Sequence, residues 1–174
     1  MNKVEGKKKV ICLFLLGSIF LTLLFIFGNS LASKEKSQEL SDKVNETVGE
    51  VITVITGQED SSLEDFFTKY HRKIAHFLEF AFLGLQVALL LCFSNCRSAS
   101  CLLSGALFSF AVASIDEGIQ MLTGRGDQVA DIFIDVLGYL SFYFIGVLVV
   151  CFLIWCHQKK SSSVALCAQK CADN

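Results

Sequence analysis

A few residues of this chain carry charge or hydrogen-bonding groups at the ends of strongly apolar stretches. They are Lys73, His76, Glu79, Asp116, Glu117, Gln120, Arg125, Asp131 and Asp135. An ionisable side chain inside a bilayer costs roughly 2.5–3.5 kcal/mol on insertion scales, so it is kept mainly where it pairs or works. Lys73, His76 and Glu79 recur every third position and form a stripe on the outer turns of one helix. Asp116, Glu117 and Gln120 fall within about a 100° sector of the next helix. Asp131 and Asp135 lie one turn apart on the last. Arg125 sits in the tight turn Thr123-Gly124-Arg125-Gly126, whose glycines admit positive φ. A guanidinium there suits a phosphate or carboxylate of a ligand. His76 is suited to moving protons near neutral pH. With Glu79, Asp116 and Glu117 it could supply acid–base chemistry. The plainer alternative is a salt-bridge and hydrogen-bond cluster that pins the helix ends. It accounts well for Lys73, Arg125 and Asp127 but less well for Asp135, about a turn further in than Asp131.

The elements that position these groups follow from hydropathy. Of the 174 residues, 53% are hydrophobic and only 18% are charged, more apolar than a soluble domain of this length. Four stretches, residues 10–27, 74–93, 101–122 and 132–156, are each near the roughly 20 residues that cross a bilayer core. The predicted fold is therefore all-α, a membrane-embedded bundle of four transmembrane helices. The chain contains no proline, so proline kinks are excluded. Residues 1–9 form a basic N-terminus and 157–174 a tail, with one membrane domain over 10–156. The first apolar run is longer than the 7–15 residues usual for a signal-peptide core, which favours an uncleaved anchor. On the third span, Gly105, Ser109 and Ala113 continue the acidic sector inward as a small-residue stripe, the mark of a central packing helix. Gly138 permits a similar close approach on the fourth.

Between the first two spans, in segment 28–73, Leu40, Val44, Val48, Val51 and Ile55 recur at helical spacing among Glu and Lys. This predicts an external amphipathic helix on the bilayer surface or capping the bundle. Basic residues Lys3, Lys7, Lys8, Lys9, Arg97, Lys159, Lys160 and Lys170 flank one side of the spans, while segment 28–73 is acid-rich. The positive-inside rule then places both termini in the cytoplasm of a multi-pass cell-membrane protein, with the polar cluster at the outer face. All 8 cysteines fall on the cytoplasmic side of that arrangement, the pattern of reduced, unpaired thiols. No cofactor is expected. No metal site is expected either, because one histidine is too few for a usual zinc site and Cys167 and Cys171 lack a second pair. A net charge of −2 gives no reason to expect a nucleic-acid partner.

The run Arg72-Lys73-Ile74-Ala75-His76-Phe77-Leu78-Glu79-Phe80, then Asp116-Glu117 with Gln120, then Gly124-Arg125 followed by Asp131, Asp135 and Gly138, resembles the VanZ-like family. The resemblance covers about residues 27–150, in order and with the family's spacings. It departs where the family often has Tyr (here Phe80), Pro (here Thr123) and Gly (here Phe142). Members are small bacterial integral membrane proteins, and the namesake is linked to resistance to the glycopeptide teicoplanin. The resemblance implies a cell-envelope protein with a polar outward-facing pocket at these positions. Expected partners are the lipid bilayer and an anionic lipid, cell-wall precursor or glycopeptide. The alternatives are a membrane enzyme acting on a lipid-linked envelope substrate, a cation-coupled transporter, and a structural partner protein. No nucleophilic serine or cysteine accompanies the acids, which weighs against the enzyme. The single bundle without repeats weighs against the transporter.

Overall fold

The computed structural model describes residues 3–32, 61–94, 96, 98–124 and 129–172, together with Glu39, Lys43, Val44, Thr47, Glu50 and Val54. Among these residues the elements are α1 (Lys3–Leu31), α2 (Ser61–Phe93), α3 (Ala99–Leu122) and α4 (Val129–Ala172). Each contains a segment long and apolar enough to cross a membrane: Glu5–Leu31, Tyr70–Phe93, Ala99–Leu122 and Ala130–Cys156. The helices outrun the apolar runs that betray them. Lys and Glu are good helix formers, so a helix continues past the point where its hydrophobic run ends. α4, with 44 residues, is about 66 Å long at 1.5 Å per residue, twice the thickness of a bilayer core.

Local chemistry sets the ends of α3. Ser98 caps its start, its Oγ accepting from the Cys101 N–H at 3.3 Å. Gly124, at φ 70°, ends it in the left-handed region that glycine tolerates. In the segment between α1 and α2, the described positions beyond Ala32 are helical, and Lys43 pairs with Glu39 at 2.9 Å. Leu40, Val48, Val51 and Ile55, four of the apolar positions from which the external helix was read, lie outside the described residues.

Packing makes α2 the centre of the bundle, touching all three other helices, whereas α1 and α4 do not meet. α3 was expected in that role. It too touches the other three, but the tightest contact is between α2 and α4. The reason is reciprocal glycines. A Cβ on Gly84 would collide with the Tyr139 carbonyl oxygen, and one on Gly138 would collide with the Phe77 carbonyl oxygen. Without these side chains the two backbones lie in direct contact. Ser109 and Ala113 are fully buried, as the small-residue stripe of α3 required. Gly105 accommodates Tyr143, and the Tyr139 and Tyr143 hydroxyls donate to the Gly105 and Leu102 carbonyls at 2.8 and 2.9 Å. Buried phenols need such partners.

The cysteines differ from expectation at one place. Cys96 and Cys101 form a disulfide across the short connection between α2 and α3, with Cα atoms 5.9 Å apart. The hairpin turn brings them within the usual Cα range for a bridge. Among the described residues, Cys12, Cys92, Cys151 and Cys156 are not disulfide-bonded, and the side chains of Cys167 and Cys171 lie outside the described residues.

Candidate functional site

The end of α1, the first turns of the α2 span, the end of α3 and the start of α4 meet at one end of the bundle. α2 brings Lys73, His76 and Glu79, three apart on one face. α3 brings Asp116, Glu117 and Gln120 on the face that runs down through Ala113, Ser109 and Gly105. α4 brings Asp131 and Asp135, with Gly138 below them drawing α4 onto α2. Arg125 and Asp127, in the turn between α3 and α4, lie outside the described residues.

Among the described residues, Asp116 is the most completely enclosed carboxylate. Ser30 Oγ donates to its Oδ1 at 2.6 Å, and Gln120 Nε2 donates to its Oδ2 at 2.7 Å. His76 stands between two acids. Its Nδ1 lies 3.9 Å from Asp116 Oδ2 and 3.9 Å from Asp135 Oδ1. These distances are too long for hydrogen bonds. They permit attraction when the imidazole is protonated. Lys73 Nζ lies 3.4 Å from Asp131 Oδ1. Asn29 Nδ2 donates to Glu79 Oε1 at 3.2 Å. The Asp135 carboxylate feels Asp116, Asp131, Glu117 and Glu79 around it.

Exposure falls steadily inward. The side chains of Lys73 and Asp131 are 39% and 33% exposed, that of His76 19%, and those of Asp135 and Asp116 2% and 0%. The ion pair thus sits at the rim and the two aspartates on the floor. One ligand atom each from His76, Asp116 and Asp135 can be chosen so that all lie within 4.8 Å of one another, a spacing compatible with a metal ion. Beside the cluster, a groove of about 390 Å³ runs between α1 and α2. Leu21, Phe25 and Phe82 form its apolar wall, and Glu79, Ser18 and Thr22 are its polar groups.

The contribution of α1 was not foreseen. Asn29 and Ser30 reach the cluster, and Ser18 accepts from the buried Gln86 at 2.8 Å. Thr123 Oγ1, at the end of α3, is 3.1 Å from the Ser30 carbonyl oxygen. The signal in the sequence was the scatter of Ser18, Thr22, Asn29 and Ser30 in an otherwise apolar run. Polar side chains in a span commonly hydrogen-bond to a neighbouring helix.

No curated protein and no solved structure matches the chain. A family model described as VanZ/LLP1 matches residues 10–157, which include every described residue of the cluster. With that match over most of its length, the chain belongs to the VanZ-like family.

Proposed function

We propose that this multi-pass protein resides in the bacterial cell membrane with both termini in the cytoplasm. Its polar recess at the outer face engages an envelope component bearing an anionic group, and so alters susceptibility to teicoplanin-type glycopeptides. The observation that carries this reading is the gathering of polar side chains from all four helices at one end of the bundle. Building such a cluster inside apolar helices is costly unless it has work to do. The adjoining groove supports an amphiphilic ligand, an acyl or prenyl chain lying along Leu21, Phe25 and Phe82 with its headgroup at the polar end of the bundle. Arg125 supplies the charge for the anion. The test compares teicoplanin and lipoglycopeptide susceptibility among otherwise identical strains carrying empty vector, the wild-type gene, Arg125→Ala or His76→Ala. Wild type raises the inhibitory concentration and both variants return it to the vector value. Equal susceptibility of wild type and vector overturns the reading.

A second reading is favoured by the placement of His76 between Asp116 and Asp135. An imidazole held between carboxylates is a general acid–base arrangement, which fits a membrane enzyme acting on a lipid-linked envelope substrate. Purified protein incubated with labelled envelope lipids then yields a product that His76→Ala does not. Unchanged lipids with wild type remove this reading.

A further inference from the structure

We propose that His76, Asp116 and Asp135 form a binding site for a divalent transition-metal ion of the Mn²⁺ or Zn²⁺ type. The inference stands apart from the envelope ligand proposed above. It revises the expectation that a single histidine in the cluster is too few for a metal site, because the donor set is completed by two buried carboxylates rather than by a second histidine.

Three observations converge. The donor atoms are already gathered. His76 Nδ1 is 3.9 Å from one oxygen of each aspartate, and all three ligand atoms lie within 4.8 Å of one another. Metal–ligand bonds of about 2.0–2.2 Å put neighbouring donors roughly 3–3.5 Å apart in a tetrahedral or octahedral shell. The two 3.9 Å distances from His76 exceed that spacing by about 0.4–0.9 Å, within the reach of side-chain rotation. At 3.9 Å the groups are too far apart to hydrogen-bond to one another.

Second, Asp135 Oδ1 is buried, aims at His76 Nδ1, and accepts no hydrogen bond. The residue as a whole is 1% exposed. A buried carboxylate oxygen without a donor is expensive, and a cation is one of the few things that satisfies it. Third, charge at the site is lopsided. Glu79, Asp116, Glu117 and Asp131 act on Asp135. Among the described residues of the cluster only Lys73 and His76 offer positive charge, and Lys73 is engaged with Asp131 at the rim. A divalent ion on the floor would offset that excess where solvent cannot.

The outer contacts have the form that metal sites use. Asp116 is oriented by Ser30 and Gln120, each through a short hydrogen bond, so its carboxylate is aimed before an ion arrives. One imidazole nitrogen with two carboxylate oxygens is a mixed set that suits Mn²⁺ and Zn²⁺ better than Ca²⁺, which prefers oxygen throughout.

The full-length protein in detergent is titrated with Mn²⁺, and free ion is read from its EPR signal. Mn²⁺ is the probe because thiols elsewhere in the chain compete for Zn²⁺. Wild type shows one saturable site. Asp135→Asn and His76→Ala each weaken it at least about tenfold, while Glu39→Gln, on an exposed pair far along the chain, leaves it unchanged. Ser30→Ala keeps every donor and loses only the group that orients Asp116, so it weakens binding by roughly 10–100-fold, as outer-shell changes do. That variant keeps the test decisive if Asp135→Asn does not fold, which helical circular dichroism and a monodisperse elution profile report. Absence of saturable Mn²⁺ binding in wild type overturns the proposal. Binding equally tight in His76→Ala and Ser30→Ala does so too. Neither result bears on glycopeptide susceptibility, so the two readings fail separately.

Discussion

At the scale of single residues, the hydrogen bond from Ser30 to Asp116 is the contact most worth breaking. Ser30 and Asp116 are both fully buried, and the bond between them is 2.6 Å long. Removing the hydroxyl leaves Asp116 Oδ1 without its donor, and a buried group left unsatisfied costs about 1–3 kcal/mol. Ser30→Ala should therefore lower unfolding stability in detergent by that amount. Ser104→Ala, which removes an exposed bond to the Cys101 carbonyl, should change it little. Equal effects of the two would show that Asp116 is satisfied from elsewhere. The acidic half of this pair was legible in the sequence, because Asp116 interrupts an apolar run at a helix end. Ser30 was not. A serine at the end of a hydrophobic segment reads equally as a cleavage-site residue, a cap or a surface group. Only its position 86 residues along the chain from Asp116, yet touching it, gives it meaning.

At the scale of elements, the bundle is set by how closely α2 and α4 approach. Gly84 faces the Tyr139 backbone and Gly138 faces the Phe77 backbone. The obstructing atoms are carbonyls, which cannot rotate aside as a side chain tip would. Gly84→Ala and Gly138→Ala should each destabilise the protein by about 1–3 kcal/mol or more, as overpacking does. Gly118→Ala meets nothing within 4 Å, so it should be neutral or stabilising by up to about 1 kcal/mol from helix propensity. Thermal unfolding of the three variants side by side checks this. Because Gly138 lies one turn below Asp135, its substitution should also loosen the cluster, whereas Gly118→Ala should not. The four spans were legible because hydrophobic runs of bilayer length seldom occur in helices that face water. The pairing of α2 with α4 was not. Gly84 lies in an apolar run where a lone glycine gives no direction. Its importance arises only when Tyr139 is brought against it.

At the scale of the whole molecule, charge is segregated along the bundle. By sequence order, every Asp and Glu except Glu5 and Asp173 belongs to the cluster end or to the segments joined to it. Eight of the 15 basic residues, Lys3, Lys7, Lys8, Lys9, Arg97, Lys159, Lys160 and Lys170, belong to the other end, which leaves the cluster end net acidic and the other net basic. An acidic end is where a cation would collect, and a basic end is what the cytoplasmic side retains. The proposed orientation follows from this segregation, and one feature of the structure strains against it. Cys96 and Cys101 are bridged at the basic end, and a cytoplasmic disulfide is ordinarily reduced. Charge and disulfide thus make opposite forecasts in cells. If the basic end is cytoplasmic, an impermeant maleimide modifies Leu122→Cys in intact cells, in a background where the native cysteines are serine. Ser100→Cys reacts only after permeabilisation. In the native protein, rapid alkylation of freshly opened cells then finds Cys96 and Cys101 as free thiols, with the bridge forming only on later oxidation. Labelling of Ser100→Cys from outside, together with a pair that resists alkylation until a reductant is added, would turn the molecule over. The acidic cluster would then face the cytoplasm, where a glycopeptide cannot meet it, while the metal site would stand.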